Sequence, residues 1–168
     1  SSAEASAGSD LNYLDLADDP RPVIAVLPFT DMSPDGDQEY FSDGISEEIL
    51  TVLSKIRDLR VAARSSAFIY KSRNLDLRQV GEELGVPYLL SGSVRKDRDQ
   101  LRISAELVSA SNGFRLWAET YNRRLDNIFA IQTEIAEAIA EALRIPLGLS
   151  QEALVSPTLD MEAHDLYL

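Results

Sequence analysis

The densest group of chemically capable side chains in this sequence is an acidic loop. Asp31, Asp35, Asp37 and Glu39 surround Gly36, and carboxylate oxygens gathered in a loop are the ligands that Ca²⁺ takes in proteins. The spacing does not match an EF-hand loop, and the same residue types suit a surface turn before a helix. The sequence therefore favours a turn over a metal site.

The main part of the sequence contains no histidine to act as the general base in covalent catalysis. The one histidine, His164, stands near the end of the chain, and there is no cysteine. Because a serine nucleophile normally needs a neighbouring base, most often histidine, a Ser-His-Asp arrangement within the main domain is excluded by composition. Neither a Walker pattern nor a Gly-x-Gly-x-x-Gly pattern occurs. We expect a domain that is not an enzyme and that holds no cofactor and no metal.

Two arginine-containing segments could hold an anion. Arg64 is followed by Ser65, and Arg95 follows the small residue Gly92 at a distance of three. Arginine and main-chain donors often bind anions together. The favoured interpretation of both segments is nevertheless a strand end with hydrogen-bonded turn residues, and a ligand site is the alternative.

Asp43, Gly44 and Trp117 complete the set of candidate ligand or interface residues. Gly44 falls inside a predicted helix, where glycine costs about 1 kcal/mol relative to alanine, so close approach of another part of the chain is expected there. Contact with a sheet is favoured over a ligand. Trp117, the sole tryptophan, is expected to pack against the core or an edge and not to form a stacking platform.

The elements that must position these residues follow from the hydrophobic pattern. A continuous apolar run predicts a strand covered on both faces, three- and four-residue spacing predicts helices, and alternation predicts half-buried strands. The predicted class is a mixed α/β (α+β) fold, with helices packed on a mixed sheet. In order, the elements are a strand at 23–29, a helix at 41–56, a strand that runs into a loop at 59–69, a helix at 75–84, strands at 88–95, 101–108 and 114–121, and a helix at 128–143 with Asp126 or Asn127 as its N-cap.

Composition divides the chain into three parts. Residues 1–22 are predicted to be a flexible acidic linker or a cloning remnant, because serine, alanine, glycine and carboxylates dominate them. Residues 23–148 form the α/β domain. Residues 149–168 form a linker and the start of a helical region.

The net charge and hydropathy of the chain limit the kinds of partner that it is expected to bind. The formal net charge is −12 at pH 7, which argues against nucleic-acid binding, because that affinity rests largely on Lys and Arg at phosphates. No apolar run approaches the roughly 18 residues that a membrane span needs. We therefore expect no direct membrane insertion of this segment, and a transmembrane span elsewhere in a parent protein stays open.

Several ordered stretches resemble the TolB-like N-terminal domain family of bacterial multidomain regulatory proteins. The resemblance covers about residues 23–143, and the tail at 157–168 resembles the entry to tetratricopeptide repeats. The matching stretches are IAVLPF (24–29), EYFSDGISEE (39–48), RSSAF (64–68), GEELGV (81–86), LSGSVR (90–95), LWAE (116–119) and DNIFAIQ (126–132).

The resemblance implies a regulatory role. Members of that family usually stand between an effector, such as a nucleotide cyclase, a winged-helix domain or a kinase, and C-terminal repeats. A membrane span often precedes them, which implies a periplasmic location, with the cytoplasm as the alternative. We expect a non-catalytic protein-interaction or sensory domain that binds a protein partner or forms a homodimer. The alternative is a receptor for a small anion or nucleotide that regulates the effector.

Overall fold

One mixed sheet and four helices make up the domain. The computed structural model describes residues 19–71 and 76–149. The strands are β1 (Val23–Val26), β2 (Thr30–Asp31), β3 (Arg60–Val61), β4 (Tyr88–Asp97), β5 (Gln100–Ser109) and β6 (Arg115–Arg124). The helices are α1 (Glu39–Ser54), α2 (Arg64–Ala67), α3 (Leu77–Leu84) and α4 (Ile128–Leu143), with a 3₁₀ turn at Phe68–Tyr70.

The sheet is parallel on one side and antiparallel on the other. Its strand order is β3-β1-β4-β5-β6, and β2 continues beside β4 after β1 has ended. β1 pairs in parallel with both β3 and β4, whereas β4, β5 and β6 form an antiparallel meander of three ten-residue strands. The short edge is thus the two-residue β3, and the long edge is β6.

β1 is buried on both faces of the sheet. Ile24 and Val26 point into the main core, while Ala25 and Leu27 point into a smaller core on the opposite face. This arrangement confirms the prediction of a doubly covered strand. The main core lies under the two long helices and contains, among others, Phe41, Ile45, Ile49, Leu53, Leu90, Ile103, Leu107, Ile135, Ile139 and Leu143.

The long helices α1 and α4 lie side by side on the main-core face. The amide Nε2 of Gln132 on α4 donates a hydrogen bond to the carbonyl of Phe41 on α1 at 3.3 Å. α4 begins where expected, because the side chain of Asn127 accepts from the Ala130 N–H at 3.2 Å and caps the helix. Asn127, and not Asp126, is therefore the N-cap.

The prediction of a strand that runs into a loop over 59–69 is correct for the strand but wrong for the loop. The strand stops after two residues, and the chain then turns into α2 and the 3₁₀ turn. The N–H groups of Ser66 and Ala67 both donate to the carbonyl of Ala63, and the buried residues Ala67 and Tyr70 are three apart. That spacing belongs to a helical turn, and it brings both side chains onto the smaller core.

The last residues of the predicted leader lie against the folded domain. Arg21 donates from Nη1 to the carbonyl of Arg57 at 3.1 Å, and Arg60 donates from Nη2 to the carbonyl of Asp19 at 3.3 Å. Residues 19–22 therefore contact the folded domain. The rest of the predicted leader and the predicted repeat-like tail lie outside the described residues. Within 19–71 and 76–149, no helix combines the length and apolar character that crossing a bilayer requires.

Candidate functional site

Asp43 and Gly44 are adjacent on α1, but Asp43 contacts Lys71 and Gly44 lies against Gln132. Asp43 Oδ2 is 2.6 Å from the ammonium of Lys71. A Cβ built on Gly44 would lie 2.1 Å from Nε2 of Gln132. The expected close approach at Gly44 is therefore present, but its partner is helix α4 and not the sheet, because α4 packs alongside α1 on the same sheet face.

Arg64 and Ser65 form the start of the short helix α2, so the prediction that they end a strand is wrong. The Nε of Arg64 is 2.6 Å from Glu47 Oε1, and its guanidinium stacks 4.3 Å from the ring centroid of Phe68. These contacts engage Arg64 with its own domain at the solvent surface. Arg95 lines a small cleft on the sheet, and Arg64 is not among the residues that line it.

Gly92 is required for packing. A Cβ at this position would lie 2.4 Å from both the Phe29 ring and the main-chain oxygen of Ser104. Trp117 on β6 is partly buried against the main core, as expected.

Arg95 belongs to a polar surface that we call the open face. It is the surface of β4, β5 and β6 that points away from α1 and α4. One row across the three strands consists of Ser93, Ser104 and Thr120, and the next consists of Arg95, Arg102 and Asn122. All six side chains are exposed or half-buried.

Two neighbouring clefts occupy the open face. The larger, of about 720 Å³, runs along β4 and β5 and is lined by Pro28, Ser91, Glu106 and Thr120 among others. The smaller, of about 150 Å³, is lined by Met32, Ser93, Arg95, Arg102 and Ser104. Ser93 and Ser104 line both clefts.

Sequence reasoning identified Arg95 but missed Arg102, Ser104 and Thr120. A signal was available, because Arg102, Ser104 and Glu106 alternate with buried apolar residues along β5. Alternation shows which side chains share a face, but only the strand register shows which ones stand opposite each other. Placing Arg102 beside Arg95 therefore required the structure.

The outer edge of β6 is the second notable surface. Leu125 N–H donates to the carbonyl of Asp99 at 2.6 Å, which identifies the hydrogen-bonded pairs of the β5–β6 ladder. Residues at odd positions of β6 from Trp117 onward thus bond to β5, and Ala118, Thr120, Asn122 and Arg124 direct their N–H and C=O groups outward. The Thr120 N–H donates a hydrogen bond to Oε1 of the adjacent residue Glu119 at 3.3 Å.

Among the described residues, each ionisable group with a clear pKa shift has a pKa farther from neutrality than its ordinary value. A hydrogen bond from the Arg21 side chain lowers the pKa of Asp19 to about 2. Hydrogen bonds with Asp43 and Glu39 raise the pKa of Lys71, and burial raises the pKa of Tyr121. These shifts hold the groups in their ordinary charge states, whereas acid–base catalysis needs a pKa near the working pH.

The acidic loop forms the turn that the sequence predicts. Asp31 Oδ1 accepts from the Ser33 N–H at 2.9 Å, and Oδ2 accepts from the Gln38 N–H at 2.6 Å. Burial, the largest single influence, raises the pKa of Asp31, but hydrogen bonds from the side chain and main chain of Ser33 and from the main chain of Gln38 together outweigh it, and the net shift is downward. Among the described residues, no group of three or more His, Cys, Asp or Glu side chains is placed to hold a metal ion.

Several solved structures have a fold similar to that of this chain. TolB from Acinetobacter baumannii superposes with a TM-score of 0.51 at 19% identity, over 74% of this chain and 29% of TolB. Lipoprotein GNA1162 from Neisseria meningitidis has a TM-score of 0.52 at 18% identity, over 72% and 98% of the two chains. A PelC dodecamer from Paraburkholderia phytofirmans has a TM-score of 0.51 at 19% identity, over 78% and 90%. The chain thus has a TolB-like fold.

Sequence comparison then defines the family. Residues 20–138 match the model of the second domain of HilA/YgeH-like transcriptional regulators, and the chain belongs to that family. A relative from Rhizobium meliloti named "Putative adenylate cyclase 3" is 47% identical over 148 residues, which cover 87% of this chain. The matched region is 25% of that relative's length. The chain therefore corresponds to a regulatory domain of larger proteins.

Proposed function

We propose that this chain is a non-catalytic interaction domain that pairs with a second copy of itself and so controls an effector elsewhere in a larger bacterial regulatory protein. The observation that carries the proposal is the outer edge of β6. A strand edge with free N–H and C=O groups is a ready template for pairing with another strand.

Apart from its charged side chains, the edge of β6 lacks the devices that commonly block such pairing. It is ten residues long and contains no proline, no glycine and no lysine. The opposite edge of the sheet, β3, has only two residues. Short strands, proline and inward-pointing charges are the common means of protecting an edge, so β6 is the edge suited to a partner.

A second copy fits this edge in a definite register. If two β6 strands pair antiparallel about a two-fold axis at Tyr121, Thr120 faces Asn122 of the other copy and Ala118 faces Arg124. All four of these residues direct their main-chain groups outward, so this register makes about eight interchain hydrogen bonds once the Thr120 N–H exchanges the Glu119 carboxylate for the partner strand. A two-fold axis gives a closed assembly in which each copy uses the same surface.

The same register is favourable in charge. It places Glu119 opposite Arg123 of the other copy, twice per pair, and opposite charges on facing strands stabilise a sheet. The arginines of β6 are already balanced within the chain: Arg115 by Glu106 at 2.8 Å, Arg124 by Asp99 at 3.5 Å, and Arg123 by Glu134. Two such edges therefore approach without strong repulsion.

The non-catalytic part of the proposal is supported by the electrostatics of the described residues. Each resolved pKa shift moves its group away from neutrality, and the candidate residues Asp43, Gly44, Arg64 and Gly92 are engaged in ion pairs or packing. The names of the relatives, a transcriptional regulator and an adenylate cyclase, describe different effectors. A pairing role suits both, because it needs no chemistry of its own.

The test compares two substitutions at Thr120. Thr120→Pro removes an outward N–H but leaves the β5 ladder intact, and proline is tolerated on edge strands. Thr120→Val removes the same hydroxyl group but keeps the N–H. Light scattering across a concentration series is expected to show the wild-type chain and Thr120→Val moving from 18.6 kDa toward twice that mass, while Thr120→Pro stays monomeric.

A charge substitution provides a second test that does not alter the main chain. Glu119→Lys is expected to weaken pairing, because it sets two positive charges opposite each other, and Glu119→Lys combined with Arg123→Glu is expected to restore it. Circular dichroism confirms that each variant is folded. A wild-type chain that remains at 18.6 kDa at every concentration refutes the proposal, as does a dimer that persists unchanged in Thr120→Pro.

A further inference from the structure

We propose that the smaller cleft of the open face binds a phosphate monoester, with the phosphate between Arg95 and Arg102 and the organic part in the larger cleft. The phosphate site lies on a face of the sheet, on β4 and β5, and the larger cleft beside it reaches β6 at Thr120. It goes beyond the pairing function proposed above.

Two arginines without carboxylate partners among the described residues face each other on the open face. Arg95 and Arg102 stand directly opposite each other on adjacent antiparallel strands, and like charges in that position are destabilising. The other arginines on the strands, Arg60, Arg115, Arg123 and Arg124, each have a carboxylate partner. Within the described part of the chain, Arg95 and Arg102 have no ion pair of this kind, although acidic residues outnumber basic ones.

The donors around the arginine pair suit an oxyanion. The Nε of Arg102 is held by the Oδ1 of Asn122 at 3.2 Å, which leaves its two terminal nitrogens for a ligand. The hydroxyl groups of Ser93 and Ser104 occupy the next row of the same face and can donate to the same anion. Two guanidinium groups and two hydroxyl groups match the charge and acceptor number of a phosphate dianion.

The volumes of the two clefts indicate an esterified phosphate. The smaller cleft, at about 150 Å³, is large enough to accommodate a phosphate group. Because Ser93 and Ser104 also line the cleft of about 720 Å³, a group attached to the phosphate can extend along the strands. Apolar side chains of Leu27 and Leu77 border that larger cleft.

Two carboxylates, Glu106 and Asp97, lie on the same face of the sheet as the arginine pair. Glu106, one row along β5, is bound by Arg115 at 2.8 Å, so its charge is offset. Asp97, one row beyond Arg95 on the same face of β4, stands opposite Gln100. We expect Asp97→Asn to strengthen anion binding by removing the nearest unbalanced negative charge on β4.

Titration of the 168-residue chain with inorganic phosphate and with AMP, followed by ¹⁵N NMR in chloride buffer, tests the proposal. We expect saturable shifts at Ser93, Arg95, Arg102 and Ser104, with AMP tighter than phosphate and additional shifts at Ser91 and Thr120. Arg95→Gln and Arg102→Gln are each expected to weaken binding about tenfold, the loss expected for one charge-assisted contact.

Arg124→Gln is the matched control. It removes the same charge from the neighbouring strand, and its affinity for AMP is expected to equal that of the wild type. Equal weakening by Arg124→Gln and Arg95→Gln indicates a general charge effect and overturns the proposal. Shifts that rise linearly with ligand and never saturate overturn it as well. Because Arg95 and Arg102 are exposed and stand opposite each other, Arg95→Gln and Arg102→Gln are expected to melt at or above the wild-type temperature.

Discussion

Replacing Gly44 by alanine tests whether close packing of α1 on α4 explains this glycine. On helix propensity alone, the substitution stabilises an α-helix by about 1 kcal/mol. The added Cβ, however, would lie 2.1 Å from Nε2 of Gln132. Gln132 is 8% exposed and its Nε2 donates to the carbonyl of Phe41, so its side chain has little freedom to move.

The expected magnitude follows from these opposing effects. Displacing Gln132 loses one hydrogen bond, worth about 1 kcal/mol, and overpacking at such an interface costs about 1–3 kcal/mol. After subtracting the helix gain, Gly44→Ala is expected to destabilise the domain by about 1–3 kcal/mol. In a Gln132→Ala background the obstacle is gone, and the same substitution is expected to stabilise by about 1 kcal/mol. The sign of the effect therefore reverses.

The assay is urea denaturation of the four chains of this double-mutant cycle, monitored by circular dichroism. The free energies of unfolding are expected to give a coupling between positions 44 and 132 of about 2–4 kcal/mol. If Gly44→Ala destabilises equally in both backgrounds, or stabilises the wild type, then the contact with Gln132 does not explain the glycine.

Two more substitutions test the sheet and its acidic loop. Gly92→Ala is expected to destabilise the domain by about 3 kcal/mol or more. Adding Phe29→Ala is not expected to restore stability, because the Ser104 oxygen 2.4 Å from the new Cβ belongs to the main chain and cannot be removed. Full recovery of the free energy of unfolding in the double variant contradicts this explanation. Asp31→Asn is expected to cost about 1 kcal/mol at pH 7 through its weakened hydrogen bonds. Because folding lowers the pKa of Asp31, its ionised form stabilises the fold above the ordinary value of 3.8 and loses that effect as the pH falls through the lower folded value. The difference between Asp31→Asn and the wild type therefore narrows in acid, and a constant difference refutes this role.

Local patterns were sufficient to predict most elements of the fold. The apolar stripes of α1 and α4 and the alternation along β4 and β5 each lie within one segment, so a single sequence contains them. The cap at Asn127 and the helix end at Gly85, whose φ is +70°, follow from similarly local chemistry. The predicted mixed α/β class is accordingly confirmed.

Long-range contacts were the part that the sequence could not supply. Gln132 and Phe41, which explain the environment of Gly44, are 91 positions apart. The short α2 was missed because its burial depends on Ala67 and Tyr70 docking onto the smaller core, and tertiary packing of this kind overrides weak local preference. Arg95 was identified as a candidate, but its relation to Arg102 depends on the β4–β5 register.

Amide hydrogen exchange along β6 tests the proposed pairing most directly, since main-chain N–H groups on the two sides of this strand serve as each other's controls. Trp117, Glu119 and Tyr121 face β5, and their amides are expected to exchange slowly at every protein concentration. Ala118, Thr120 and Asn122 face outward, and their amides are expected to gain protection only as the concentration rises and copies pair. Fast exchange of these three amides in concentrated protein would contradict pairing through β6.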